Sequence, residues 1–270
     1  MLNIVVALPE EARPLIHYFK MQRWHDVRQF AIYRSDEIRL IVSGIGKLAS
    51  ATATGFLAGQ QYTDPSAWLN LGIAGGDAGV VGDIILANEI VDSVSRSKYF
   101  PSVCFDLPVQ LTRVITVQEQ QTKYTADCVY DMEASGFFSA ALRFSTAELI
   151  HSIKVISDNS ISGVEMVSKE HVAEMIDRKL PVVGKVCNWL LNIVGKLTDE
   201  YAGKDEYDKI LAKFHFTYTQ QRKLKAILQN WFSMTDVSPL QFIKLCEIRN
   251  AQSFLNELEM KIRELPVNYQ

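Results

Sequence analysis

The sequence predicts an α/β fold with a helical extension at its C-terminal end. Three observations carry that expectation. Leu2 to Leu8 is apolar apart from Asn3, the pattern of a strand buried on both faces. Two further apolar runs lead into glycine-rich segments, Ser43-Gly44-Ile45-Gly46-Lys47 and Gly72-Ile73-Ala74-Gly75-Gly76, and the first is followed by a small-residue helix. Beyond Gly163 the pattern changes to helical spacing, with Val182, Val183, Val186, Trp189, Leu190, Ile193, Val194 and Leu197 on one stripe.

Size and composition narrow the classes. The chain has 270 residues, room for one large domain or a domain with an appendage. Hydrophobic residues make up 48% and charged residues 22%, which places the chain among soluble globular proteins. A formal net charge of −3 lacks the basic excess of a general nucleic-acid binder. The four cysteines, Cys104, Cys128, Cys187 and Cys246, are far apart, which fits reduced cytoplasmic thiols better than a disulfide framework or a zinc site. The expectation is a cytoplasmic protein without a signal peptide, because Glu10 arrives before any basic region and apolar core have formed. No apolar run reaches membrane-spanning length; the longest, Leu180 to Leu197, is broken by Lys185, Asn188, Asn192 and Lys196.

Taken in order, the first strand meets Pro9, suited to the first position of a helix, with Glu10 and Glu11 in the first turn. His17 near that helix end has no second histidine at metal spacing and reads as a packed or surface residue. Gln29–Tyr33 and Ile38–Val42 read as strands. The Ser43–Lys47 segment has the outline of a phosphate cradle but not the spacing of a P-loop, so close strand–helix packing explains it better. Trp68–Leu71 and Ile84–Ala87 read as strands on either side of glycine turns, and short strands with loops continue to Val117. Gln118–Asp127 reads as a polar loop. Then Cys128-Val129-Tyr130-Asp131-Met132-Glu133-Ala134-Ser135 runs from a short apolar strand into a helix through Phe137, Phe138, Ala141 and Leu142. An acid at that junction is either a solvated residue of a first helical turn or a group held facing a cavity. Ile150–Ile156 reads as a last strand, ending in Ser157-Asp158-Asn159-Ser160, and open α/β sheets place ligand groups at such carboxyl ends.

Tyr201–Asp205 is the expected linker, dividing a domain over residues 1–200 from a helical extension over 204–270. Helices are expected at Tyr207–Phe214 and Thr219–Phe232, and from Pro239 to about Leu265 with a break. Ser238-Pro239 is a good helix start. Arg222, Lys223 and Lys225 near Tyr218 and Trp231 read as a solvated helix face over a buried tryptophan rather than a nucleic-acid patch.

Three separated segments together resemble the nucleoside phosphorylase/nucleosidase superfamily, and among its members most closely the methylthioadenosine/S-adenosylhomocysteine nucleosidases. They are Val5-Val6-Ala7-Leu8-Pro9-Glu10-Glu11; the two glycine segments with Val81-Gly82-Asp83-Ile84; and Asp131-Met132-Glu133-Ala134 followed by Ile156-Ser157-Asp158. Their order and spacing suit that family over residues 1 to about 198. The resemblance implies a three-layer α/β sandwich around a central mixed, twisted sheet, with the helical extension added. It implies cleavage of a purine N-glycosidic bond, in which positive charge builds on the ribose and negative charge on the departing base. Mapped residue by residue, Asp158 is the acid that protonates the purine and Glu11 the base that activates water. Glu133 accepts hydrogen bonds from the ribose hydroxyls, and Met132, Ile73 and Gly75 line the substrate. The implied partners are a small-molecule nucleoside such as methylthioadenosine or S-adenosylhomocysteine and a second copy of the chain in a homodimer. No metal and no organic cofactor is implied.

Four positions depart from the family pattern. Ile73 stands where serine is usual, Lys154 where arginine is usual, and Asp131 where glutamate is common. Gln118–Gln121 offers no aromatic ring to stack on a base. A phosphorylase is the alternative within the family, with Lys47 the cation in the glycine turns and Arg13 and Arg34 as substitutes; Glu11 would repel phosphate and favours water. A non-catalytic nucleoside-binding protein, with the helical extension as its working part, is the alternative outside it.

Overall fold

The computed structural model describes residues 1–60, 65–103, 109–125, 127–162, 168–199, 204–235, 237–243, 248 and 250–264. The chain divides into two compact units, Met1–Gly195 and Lys196–Gln270.

In the first unit, β1 (Leu2–Val6) runs into α1 (Pro9–Tyr18), with Pro9 opening the helix as expected. A hairpin of β2 (Gln22–Arg23), β3 (Ala31–Arg34) and β4 (Ile38–Val42) follows, and α2 (Lys47–Gln60) then packs back on the sheet. Next come β5 (Ala67–Gly76), β6 (Ile84–Asp92), β7 (Lys98–Tyr99), β8 (Gln110–Thr116) and β9 (Cys128–Asp131). After these lie α3 (Ala134–Ala141), β10 (Ile150–Asp158) and the long α4 (Lys169–Asp199).

The sheet is mixed. Strand β1 lies parallel to both β4 and β5, and β5 is parallel to β10. The sequence pointed to a twisted central sheet; the structure adds closure. Strands β5, β10, β6, β8 and β9 each pair with the next, and β9 returns antiparallel to β5, so these five form a ring. The remaining strands β1, β4, β3 and β2 extend outward from β5.

Two expectations change here. The Gly72–Gly76 segment is not a turn but the end of β5, where Gly75 and Gly76 pair with Tyr130 and Val129. A Cβ on Gly76 would stand 2.6 Å from the Cys128 carbonyl oxygen, so only glycine lets β9 close on β5. The strand begun at Ile84 runs on to Asp92, bending at a register shift between Ala87 and Glu89, and reaches β8 on that bend.

Alternation along β1 feeds two apolar clusters. Leu2, Ile4 and Val6 join Leu15 of α1 and Ile176, Val183 and Leu190 of α4, while Val5 joins Leu57 of α2 and Phe137 and Phe138 of α3. Helix α4 begins at Lys169, within the stretch beyond Gly163 that the sequence reads as helical, and carries Pro181 within it. No helix among the described residues is long and apolar enough to cross a membrane.

The second unit is helical, with α5 (Lys204–Leu211), α6 (Tyr218–Met234) and α7 (Ala251–Glu264). Thr217 caps α6, accepting from the Gln220 N–H. The helix expected from Pro239 is a 3-10 turn at Pro239–Gln241, and regular helix resumes at Ala251. Leu224, Leu228, Trp231, Phe254, Leu255 and Leu258 share a core of this unit, and the Trp231 indole N–H donates to the Val237 carbonyl at 2.7 Å. Lys223 pairs with Glu259 at 2.9 Å. Most of the expected linker, 201–203, lies outside the described residues.

Candidate active site

The carboxyl ends of the central strands surround a cavity of about 240 Å³, small-molecule rather than macromolecular in size. The six residues that the resemblance assigns to catalysis or substrate binding line it: Glu11, Ile73, Gly75, Met132, Glu133 and Asp158.

Glu11 comes from the first turn of α1. Its Oε2 accepts from the Ala7 and Leu8 N–H groups at 2.8 and 2.9 Å, and its Oε1 from the Ile73 N–H at 3.1 Å. The carboxylate is thus pinned between the N-terminus of α1 and strand β5, with one lone-pair direction left over. Gly72 is what permits this, since a Cβ there would lie 2.8 Å from Glu11 Oε1. Burial pushes the Glu11 carboxyl above its ordinary value, against the pull of these three donors and of Lys154.

Glu133 lies between β9 and α3. Its Oε1 accepts from the Gly46 N–H at 2.8 Å, at a turn where Gly44 and Gly46 hold positive φ. One N–H of the first glycine segment is thus committed to a carboxylate. Burial raises the Glu133 carboxyl to about 7; Lys154 pulls it down and Asp131 pushes it up.

Asp131 fills the helix-start role that the sequence left open for this acidic pair. Its Oδ2 accepts from the Glu133 and Ala134 N–H groups at 3.2 and 2.7 Å, and its Oδ1 from the Thr116 hydroxyl at 2.7 Å. Lys154, only 1% exposed, completes it with an ion pair at 2.8 Å. Burial opposes the Lys154 charge, but Asp131, Glu133 and Glu11 outweigh it and raise its pKa. Two of the four departures from the family pattern, Lys154 and Asp131, are therefore partners of each other.

Asp158 ends β10 opposite Gly75. It accepts from the Ser157 hydroxyl and from the Tyr124 hydroxyl. Tyr124 and Tyr130 also line the cavity, with ring centroids 5.9 Å apart. The sequence reading missed both. An aromatic was sought in Gln118–Gln121, and the loop supplies it three residues later; the adjacency of Tyr124 to Asp158, 34 positions away, has no local signal.

The cations proposed for phosphate are elsewhere. Lys47 bonds Asp92 at 2.7 Å, where Ser135 and the Val94 and Ser95 N–H groups also converge. Arg13 is exposed, and Arg34 lies over the Trp24 ring, 4.8 Å from its centroid. No lysine or arginine stands among the described residues that line the cavity. No cluster of three metal-ligating side chains occurs among the described residues.

Neither a protein-family model nor a curated protein matches the sequence. Solved structures do match. The Arabidopsis thaliana 5′-methylthioadenosine nucleosidase superposes with a TM-score of 0.59 at 15% identity, over 70% of this chain and 95% of that one. The S. pneumoniae 5′-methylthioadenosine/S-adenosylhomocysteine nucleosidase gives 0.53 at 20% identity, over 67% and 96%. The Campylobacter jejuni nucleosidase of the same name gives 0.52 at 16%, over 69% and 97%. The chain shares the methylthioadenosine nucleosidase fold.

Proposed function

We propose that this protein is a purine nucleoside N-ribosyl hydrolase acting on an adenosine-type, 5′-modified nucleoside such as methylthioadenosine or S-adenosylhomocysteine. One observation carries the reading: Glu11, Glu133 and Asp158, distant in sequence, line a single cavity with no lysine or arginine among its described lining residues.

Three carboxylates suit the charge changes of the reaction. Asp158 gives a proton to the base as the glycosidic bond breaks, so the base leaves neutral. Glu133 accepts hydrogen bonds from ribose hydroxyls and its negative charge favours the oxocarbenium-like state. Glu11 uses its remaining lone pair to orient a water and takes that water's proton as the oxygen bonds the anomeric carbon. The 5′-modified ribose and the free base are the products. Phosphate as nucleophile would need cations in the cavity wall to offset the carboxylates, so water is the better nucleophile.

The test is a panel of nucleosides incubated with and without phosphate while free base and reducing sugar are measured. Base release independent of phosphate supports the proposal. Release that requires phosphate makes the protein a phosphorylase, and calorimetric nucleoside binding without release makes it a binding protein. Asp158→Asn is expected to slow turnover on the order of a thousandfold, about 4 kcal/mol of barrier. Parental turnover in that variant removes Asp158 from the acid role.

A further inference from the structure

Both oxygens of the Asp158 carboxyl group accept hydrogen bonds from the protein itself. Ser157 donates to Oδ1 and Tyr124 to Oδ2. The Tyr124 hydroxyl also stands 2.9 Å from the Gln121 carbonyl oxygen, in the direction of donation, so its single proton is shared with its own loop. Burial and the neighbouring Asp158 push the Tyr124 phenol above its ordinary value, so it stays protonated and able to donate.

The opposite wall is cut to fit this pair. A Cβ on Gly75 would meet Asp158 Oδ2 at 2.7 Å and Tyr124 Cζ at 2.9 Å. The tyrosine hydroxyl and the carboxylate therefore meet over bare backbone. The Tyr124 ring leans on Tyr130, whose own hydroxyl is tied to Thr125 Oγ1 at 2.8 Å, so the supporting ring is itself held.

Resting on the nucleosidase proposal above, we infer that Tyr124 is a latch that sets the affinity of the cavity for its base. A base that meets Asp158 Oδ2 from the cavity competes with the Tyr124 hydroxyl for that oxygen. The tyrosine ring, once released, offers its flat face to the base. The hydroxyl thus opposes binding and the ring assists it.

Two substitutions separate these roles. In Tyr124→Phe the ring remains and the latch is gone. Adenine, titrated calorimetrically, is expected to bind roughly tenfold more tightly, the worth of one hydrogen bond. KM for methylthioadenosine falls with it. In Tyr124→Leu both are gone, and loss of the stacking face, worth about 1–3 kcal/mol for a base on an aromatic ring, weakens adenine binding relative to Tyr124→Phe by roughly fivefold to a hundredfold. A residue that served only to hold the loop would weaken binding in both variants alike. If Tyr124→Phe binds adenine no better than the parent, or loses kcat at constant KM, the latch is refuted although the parent still cleaves nucleosides. If parent and both variants neither bind adenine nor release base, the nucleosidase proposal falls and the latch with it.

Discussion

At the scale of single residues, Glu133 concentrates the electrostatics of the cavity. Its carboxyl is raised from 4.5 to about 7 by burial. Between those values the folded chain holds a proton that the unfolded chain gives up, so stability contributed at this position falls as pH rises through that window. Glu133→Gln removes the titration. The variant's melting temperature relative to the parent is therefore expected to shift in its favour between pH 5 and pH 8. If the ionised form binds the ribose, parental kcat/KM climbs with pH to a plateau above about 7, and the variant loses both that limb and most of its activity. Parallel thermal scans and pH–rate profiles check both statements.

Lys154 and Asp131 belong to the same scale. Removing one member of a fully buried ion pair strands the other charge. Lys154→Met is expected to cost about 3–5 kcal/mol in denaturant unfolding. Lys154→Met with Asp131→Asn together should cost less than the sum of the single changes, because the second substitution discharges the stranded carboxylate. A strictly additive double-mutant cycle contradicts a direct coupling.

At the scale of elements, strand β5 sets the positions of two of the three carboxylates. Gly72 leaves room for Glu11, and Gly75 for Asp158 and Tyr124. Gly72→Ala drives a methyl group into Glu11 Oε1. The expected outcome is a fall in kcat on the order of a hundredfold, the cost of misplacing a reacting group by about 1 Å. Circular dichroism of the variant separates misplacement from unfolding.

The same strand shows what was legible in the sequence. Its apolar start was plain, and so were β1, β4 and β10 and the acids that follow β1 and end β10, because strand periodicity and helix-start chemistry are local signals. The glycines suggested a turn, since nothing local says that a second strand will need bare backbone to pair against. Ring closure depends on β6 running through Asn88 and Glu89, a polar step that looked like a strand end, and on a partner near Gln110. Tyr124 was hidden for the same reason: its value comes from Asp158, and a polar loop does not advertise what it touches. The pairing of Lys154 with Asp131 was visible only as two separate anomalies.

At the scale of the whole molecule, the two units carry separate cores. The three carboxylates and their supports all belong to Met1–Gly195, while Phe254 sits in the helical cluster of Lys196–Gln270. Phe254→Ala is expected to cost that unit about 3–5 kcal/mol through the cavity it leaves. Base release by the same purified variant should persist. Chemical denaturation beside the cleavage assay tests this, and loss of activity in step with loss of helix would tie the extension to catalysis.

Hydrolysis in a cavity whose described lining residues include no lysine or arginine, as proposed above, has a consequence for metabolism. Transfer of a ribosyl group to an inorganic anion can run backwards, because the sugar ester keeps much of the energy of the bond it replaced. Transfer to the solvent, present in vast excess, cannot be undone at ordinary concentrations. A protein that transfers to the solvent, as proposed above, is a drain rather than an exchanger, and the pool of intact substrate then depends on supply alone.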